Sequence, residues 1–491
     1  MNIVNGSLLM IITRLIIKSL GLISSICLAR LLQPEDFGIV AIAMAIYAFI
    51  CLFGSFGLES IIIQRQTKHH DDYNTVWTIN VLFSCIAAIS LILCAPYIAI
   101  FYDDSRIVDV IYAISSMFII SGLRNIGVIE FQQDLNFQKE LRFQVTPKLI
   151  SFIFTLTAAY LLNNYWALVY GMIFNSVLQV IISYWMHPYR PKLGLKKAGS
   201  MLSFSKWLLA NNILFYINTR AIDLIIGKVI SARATGVFSI ANEFGSLPTT
   251  EMAAPINKAT FPVYSKLANS PVELRHSYAN TISLIGLLAL PSAFGIAITC
   301  EIFIPVALGE KWLAAIPIMQ TISLTSIITC LTSNAGYLFI ALGLPKVTFA
   351  ANLFRALILT ISMILLIPEY GLMGACYSII LSAIASFINY SILVKNQLSF
   401  SILNLLNTVY RPALSCILMV YAVYQYQLID HSMTLYNLFL QILIGFITYT
   451  SSIVLIWHLT GKQAGIEKDI ATKFNLLVHR LNQKENFNDF N

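Results

Sequence analysis

Predominantly apolar runs of about 20 residues, the length a helix needs to cross roughly 30 Å of hydrocarbon, recur along the whole chain and restrict its fold more than any other feature. They cover residues 8–30, 37–62, 75–100, 107–130, 145–162 and 165–186, then 206–230, 234–257, 281–305, 312–335, 346–367 and 371–394, and finally 410–428 and 435–458. The chain is 58% hydrophobic and 11% charged over 491 residues, with a mean hydropathy of +0.76. Too few polar side chains remain to cover a soluble domain of that length. The expected fold is an all-α polytopic membrane protein of about 14 transmembrane helices, two six-helix lobes followed by two C-terminal helices. The corresponding boundaries are 1–186, a basic linker 187–206, 207–396, 397–460 and an amphipathic tail 461–491. The first run is too long for a signal-peptide core and lacks a small-residue cleavage site after it, so it is expected to stay as a membrane helix.

Loop charge sets the expected orientation. With the amino terminus in the cytoplasm, the inner loops carry most of the Lys and Arg, including Arg65, Lys68, Arg124, Lys139, Arg142, Arg190, Lys192, Lys196 and Lys197, and the outer loops carry only Arg30, Arg106, Lys228, Arg233 and Lys311. That bias and an even number of helices put both termini inside. The net charge of +8 is then mostly topological and calls for no nucleic-acid partner. The eight cysteines lie in apolar runs without a CxxC pair, and no histidine sits in an HExxH pattern, so neither a disulfide framework nor a metal or other cofactor is expected.

One turn is used twice. ARLLQPEDFGIVAIA, residues 29–43, returns in register as GKVISARATGVFSIA, residues 227–241, which sets Arg30 on Lys228, Gly38 on Gly236, Ile42 on Ile240 and Ala43 on Ala241. NNYWALVYG, residues 163–171, and PEYGLMGAC, residues 368–376, hold matching places later in each half. Halves with an even number of helices run parallel, related by an axis along the membrane normal, and two such lobes imply a cavity between them.

A basic residue near a helix centre costs about 2.5–3.5 kcal/mol on insertion scales, so charges within the apolar runs are the candidate site residues. Arg14 and Lys18 are four apart on the first run and share a face. Arg220 and Asp223 lie in the seventh, Glu243 and Glu251 in the eighth and Arg355 in the eleventh. Arg14, Lys18, Arg220 and Arg355 suit an anionic headgroup, since guanidinium forks bind phosphate oxygens through paired hydrogen bonds. Asp223, Glu243 and Glu251 are the candidates for taking up a coupling ion. The structural alternatives stay open: an intrahelical Arg220–Asp223 pair, Arg14 reaching to the interface, and Arg355 paired within its own lobe. Pro248, Pro255, Pro291 and Pro317 fall within predicted helices and permit bends. Residues 463–484 place Ile466, Ile470, Phe474, Leu477 and Leu481 at helical spacing among basic residues, the pattern of an interfacial helix.

LARLLQPEDFGIVAIA, AIDLIIGKVISARATGVFSIANEF and LGEKWLAAIPIMQ resemble the polysaccharide transporter branch of the multidrug/oligosaccharidyl-lipid/polysaccharide exporter superfamily, in particular Wzx-type flippases such as colanic-acid exporters. The resemblance implies a MATE/MurJ-like fold in a bacterial inner membrane, with helices 1, 7 and 8 bordering the space between lobes. It implies transfer of undecaprenyl-diphosphate-linked oligosaccharide from the cytoplasmic to the periplasmic leaflet, alone or beside polymerase and chain-length partners; with no nucleotide site in the chain, a proton or sodium gradient is the expected energy source. A multidrug exporter of the same fold is the alternative, and the basic residues favour an anionic cargo over it. An enzyme is not expected, because the outer loops are short and hold no nucleophile constellation, paired carboxylates or Walker loop.

Overall fold

The computed structural model describes residues 3–54, 62, 69–196 and 206–461. The predicted tail helix 463–484, Arg65, Lys68, Lys197 and the far half of the linker lie outside them. Every described element is helical. Large apolar side chains remain exposed, among them Leu93 at 67%, Tyr97 at 74% and Trp185 at 83%, as expected where lipid rather than water is the solvent. Ten described helices are long and apolar enough to span a membrane, and an eleventh if a bent pair is counted as one. The expected fourteen are not met by uninterrupted helices, and the difference lies in segments that break.

The chain forms two compact units. The first comprises Met1–Ile240, Ala307–Ala314 and Thr360–Ala375. Its main helices are α1 (Ile3–Leu31), α2 (Pro34–Gly54), α3 (His70–Tyr102), α4 (Arg106–Gly122), α5 (Glu130–Gln133), α6 (Phe137–Leu162) and α7 (Trp166–Met186). The core packs Ile39, Ile42, Leu91, Ile107, Ile111 and Phe118 against Ala88, Ala95, Ala159 and Ala167. Small residues between large ones let backbones approach, which is how helices associate where no hydrophobic effect drives them together. Left-handed residues Asp103 and Asn163 end α3 and α6.

The run predicted as one helix over 107–130 instead stops at Gly122 and turns by 69° into 126–133. Asn125 holds the turn: its Oδ1 accepts from Gly127 N at 2.9 Å and its Nδ2 donates to Tyr189 O at 2.8 Å and His187 O at 3.3 Å. A side chain that satisfies nearby main-chain groups competes with helix continuation. The start of the linker is thereby strapped along α3. Asn74 Oδ1 accepts from the Tyr189 hydroxyl and from Lys192 N, both at 2.7 Å, and Gly194 N donates to the Thr78 hydroxyl at 3.0 Å.

The predicted seventh helix is broken at Arg220 into α8 (Lys206–Thr219) and α9 (Ala221–Val229), and α10 (Ala232–Gly245) follows.

The second unit comprises Ala241–Val306, Ala315–Leu359 and Cys376–Asn491. It holds the end of α10, a π-helical turn at Pro248–Ala253, and α11 (Ala254–Leu267). α12 (Pro271–Phe303), α13 (Ala315–Ala341), parts of α14 (Pro345–Leu398), α15 (Ile402–Ile429) and α16 (Leu435–Leu459) complete it. Pro248 opens the π turn, whereas Pro317 falls in the first turn of α13, where its missing N–H had no partner to lose. α14 is two arms joined at Gly371, whose φ of 59° and ψ of −135° only glycine adopts freely. α15 and α16 are docked on α12 by polar contacts: Gln427 Nε2 donates to Ile298 O and to Gln441 Oε1, both at 3.0 Å, and the Tyr449 hydroxyl donates to Leu287 O at 2.7 Å.

Candidate functional site

The predicted site residues divide between the units. Arg14 is exposed and Lys18 half-buried one turn further along α1. Arg220 and Asp223 belong to the same unit and form a long ion pair, Nη1 to Oδ2 at 3.9 Å, with the Asp223 side chain buried and that of Arg220 59% exposed. Arg220 occupies the break between α8 and α9, so its guanidinium leaves the helix axis while Asp223 sits in the first turn of α9, where the helix N-terminus stabilises a carboxylate.

The second unit holds the others. Glu243 is half-buried near the end of α10, and Glu251 is half-buried within the π turn. π turns insert an extra residue and leave carbonyls misaligned, and they occur frequently at functional sites. Beside it, Thr249 meets Cys330 Sγ at 3.5 Å. A buried polar chain crosses from α11 to α13: the Tyr264 hydroxyl donates to Asn334 Oδ1 at 2.7 Å, Asn334 Nδ2 to Asn257 Oδ1 at 2.7 Å, and Asn257 Nδ2 to the Ser333 hydroxyl at 2.8 Å. Arg355 is half-buried on the first arm of α14, and its Nε is enclosed without a hydrogen-bond partner among the described residues. One turn before it, Asn352 Oδ1 accepts from the Tyr390 hydroxyl at 3.4 Å.

Three motifs that the charge-based search passed over meet at one end of the first unit. The α1–α2 turn is where α1 exposes its last carbonyls, which have no partner within the helix. Trp312, fully buried, donates from Nε1 to Ala29 O at 2.9 Å, and Lys311 Nζ donates to Arg30 O at 2.9 Å. Arg30 Nε returns a bond to Ala307 O at 2.9 Å, and the Trp312 ring stands edge-on to Phe37 at 5.3 Å. Burial pushes the Lys311 ammonium below the usual lysine range, with Asp36 opposing and Arg30 adding to that shift. LGEKW therefore caps the C-terminus of α1, the end of the helix dipole that attracts a cation.

Beside that cap, the two copies of the repeated turn lie in backbone contact. A Cβ on Gly38 would fall 1.6 Å from Ala232 O, and a Cβ on Gly236 would fall 1.7 Å from Pro34 O. The contact is reciprocal, since Pro34 precedes Gly38 by the same four residues by which Ala232 precedes Gly236. At the same end Arg106 bridges Asp104 Oδ2 at 2.8 Å and Glu35, and Lys228 Nζ meets Asp103 Oδ2 at 3.1 Å. The contact made by Trp312 left no signal in the sequence because its partner is a main-chain carbonyl 283 residues away.

Residues 27–317, more than half of the chain, match the family described as polysaccharide biosynthesis protein. The lipopolysaccharide biosynthesis protein WzxC of Escherichia coli K12 is 23% identical over 403 residues, covering 81% of this chain and 82% of that protein. The succinoglycan biosynthesis transport protein ExoT of Rhizobium meliloti is 22% identical over 68% of each chain. Among solved structures, the fold is similar to that of the lipid II flippase MurJ in an inward closed conformation, with a TM-score of 0.75 at 17% identity over 93% of this chain and 99% of that one. An inward-facing multidrug resistance MATE transporter gives 0.62 at 14% identity over 78% and 94%. With its polytopic helical fold and its matched motifs both in view, the chain belongs to the polysaccharide biosynthesis protein family, within which its motifs resemble those of Wzx-type transporters.

Proposed function

We propose that this protein moves lipid-linked oligosaccharide units, carried on a polyprenyl diphosphate, from the cytoplasmic to the periplasmic leaflet for assembly of a cell-surface polysaccharide. The family match over residues 27–317 is the observation that carries the reading. It is supported by relatives named for lipopolysaccharide biosynthesis and succinoglycan transport. Arg14, Lys18, Arg220 and Arg355 supply the cationic groups that a diphosphate needs in place of water, since a fixed charge does not cross hydrocarbon unaided. Coupling to a proton or sodium gradient is assigned to Asp223, Glu243 or Glu251, and the orientation to both termini inside, which turns the α1–α2 end outward. Polymerase and chain-length proteins are the partners this reading implies.

The test is the leaflet distribution of polyprenyl-diphosphate-linked oligosaccharide in cells lacking the protein. Accumulation on the cytoplasmic side, reversed by the parent protein and poorly by well-expressed Arg14→Ala, Lys18→Ala or Arg220→Ala, is expected. Normal delivery to the outer leaflet, with no substitute transporter present, would sink the flippase reading and leave small-molecule export by the same fold.

A further inference from the structure

We propose that the LGEKW loop is a releasable clasp: it grips the end of α1 while the outer side is closed and lets go each time that side opens. This inference rests on the transport reading above for its direction, outer side against inner. The contacts it is argued from lie within the first unit.

Loop Ala307–Ala314 packs with the first unit, although α12 and α13, which it joins, run in the second. The loop is continuous in sequence with both helices, so a displacement of either is transmitted to it. What holds it is suited to repeated release. The three hydrogen bonds to it use main-chain acceptors, the carbonyls of Ala29, Arg30 and Ala307. They form at a helix end that faces the loops, so water can replace each acceptor's partner when the loop leaves. The Arg30 and Lys311 bonds are exposed and contribute little for that reason. The holding contact is Trp312, which is fully buried, hydrogen-bonded through its indole and packed edge-on to Phe37.

The glycine pair lets the two repeated turns approach closely. With no Cβ at 38 or 236, α2 and α10 meet backbone to backbone beside the clasp. Gly236 is buried and the neighbouring Thr235 is completely enclosed. Thr235 is thus a reporter whose exposure follows opening at this end.

The test uses the full chain without its native cysteines, in vesicles of known sidedness, with Thr235→Cys and a membrane-impermeant thiol reagent added outside. Labelling is expected to be slow in the parent, roughly tenfold faster with Trp312→Ala, a factor corresponding to about 1.4 kcal/mol, and intermediate with Trp312→Phe, which keeps the ring and loses the donor. Equal rates in all three would overturn the clasp. A second arm pairs Arg30→Cys with Lys311→Cys through a short reducible bifunctional reagent. Transport of the lipid-linked oligosaccharide should stop when the bridge forms and return on reduction, and transport that continues through an intact bridge also overturns the clasp. If the parent moves no such lipid while Thr235→Cys labelling still follows Trp312, the flippase assignment fails and the clasp stands.

Discussion

Gly38→Ala is the change whose cost follows most directly from the coordinates. The added methyl carbon would lie 1.6 Å from Ala232 O and 2.5 Å from its carbonyl carbon. Carbon and oxygen in contact stay about 3.3 Å apart, so α2 and α10 must part locally by roughly 1.7 Å. The obstacle is main chain, with no flexible side-chain end to swing aside. Overpacking of this kind costs about 1–3 kcal/mol, offset by the roughly 0.5–1 kcal/mol that alanine gains over glycine in a helix. A net loss of about 1–2 kcal/mol is expected from these terms, read as a lower midpoint of thermal unfolding in detergent. Gly21 and Gly295 are the internal controls, because a Cβ at either meets nothing within 4 Å. Alanine there should leave the midpoint unchanged or raise it. Gly236→Ala should behave like Gly38→Ala, and the double variant should cost clearly less than the sum, because one opening relieves both clashes. A Gly38→Ala protein as stable as Gly21→Ala, or costs at 38 and 236 that simply add, would refute the reciprocal contact.

Two further predictions concern other parts of the first unit. Asn125→Ala removes the side chain that turns the chain after α4 and holds the strap through Tyr189 and His187. A loss of about 2–3 kcal/mol is expected from these bonds, with faster amide exchange across 187–196, and unaltered exchange there would count against the strap. For Asp104, burial raises its pKa, but the hydrogen bonds from the Arg106 side chain and main chain outweigh it and hold the carboxyl below the usual range. A depressed folded-state pKa stabilises above the unfolded value of about 3.9 and the benefit is lost as pH falls through the folded one. Arg106→Met should therefore lower the unfolding midpoint at neutral pH, and the difference from the parent should fade below the folded value; a difference that persists there would contradict the pairing.

Much of the architecture was legible because hydrophobic length is a direct physical signal. The predicted spans 346–367 and 371–394 correspond to the two arms of α14, with the bend at Gly371, the first residue of the second span. Breaks caused by local polar chemistry were less visible. An apolar count runs straight through 107–130, since it does not register that Asn125 prefers main-chain partners to helix continuation. α15 begins at Ile402, eight residues before the predicted 410, where the Ser401 side chain accepts from Asn404 N and caps the helix. At the candidate site, the Arg220–Asp223 pair was readable from its spacing of three, whereas the break that turns Arg220 outward was not. The α1 cap was hidden for another reason: the carbonyls of Ala29 and Arg30 carry no residue identity, so a tryptophan directed at them looks like any buried aromatic.

The reciprocal contact of Gly38 and Gly236 also bears on how a duplicated chain ages. Most residues of a repeated segment come to face different neighbours once the two copies are joined, and each is then free to change for its own surroundings. A residue lying where one copy touches the other faces its own counterpart instead, so a bulky replacement in either copy disturbs both at once. Within the likeness between 29–43 and 227–241, Gly38 and Gly236 are the pair with no room for a single methyl group, so a change at either is felt by both copies.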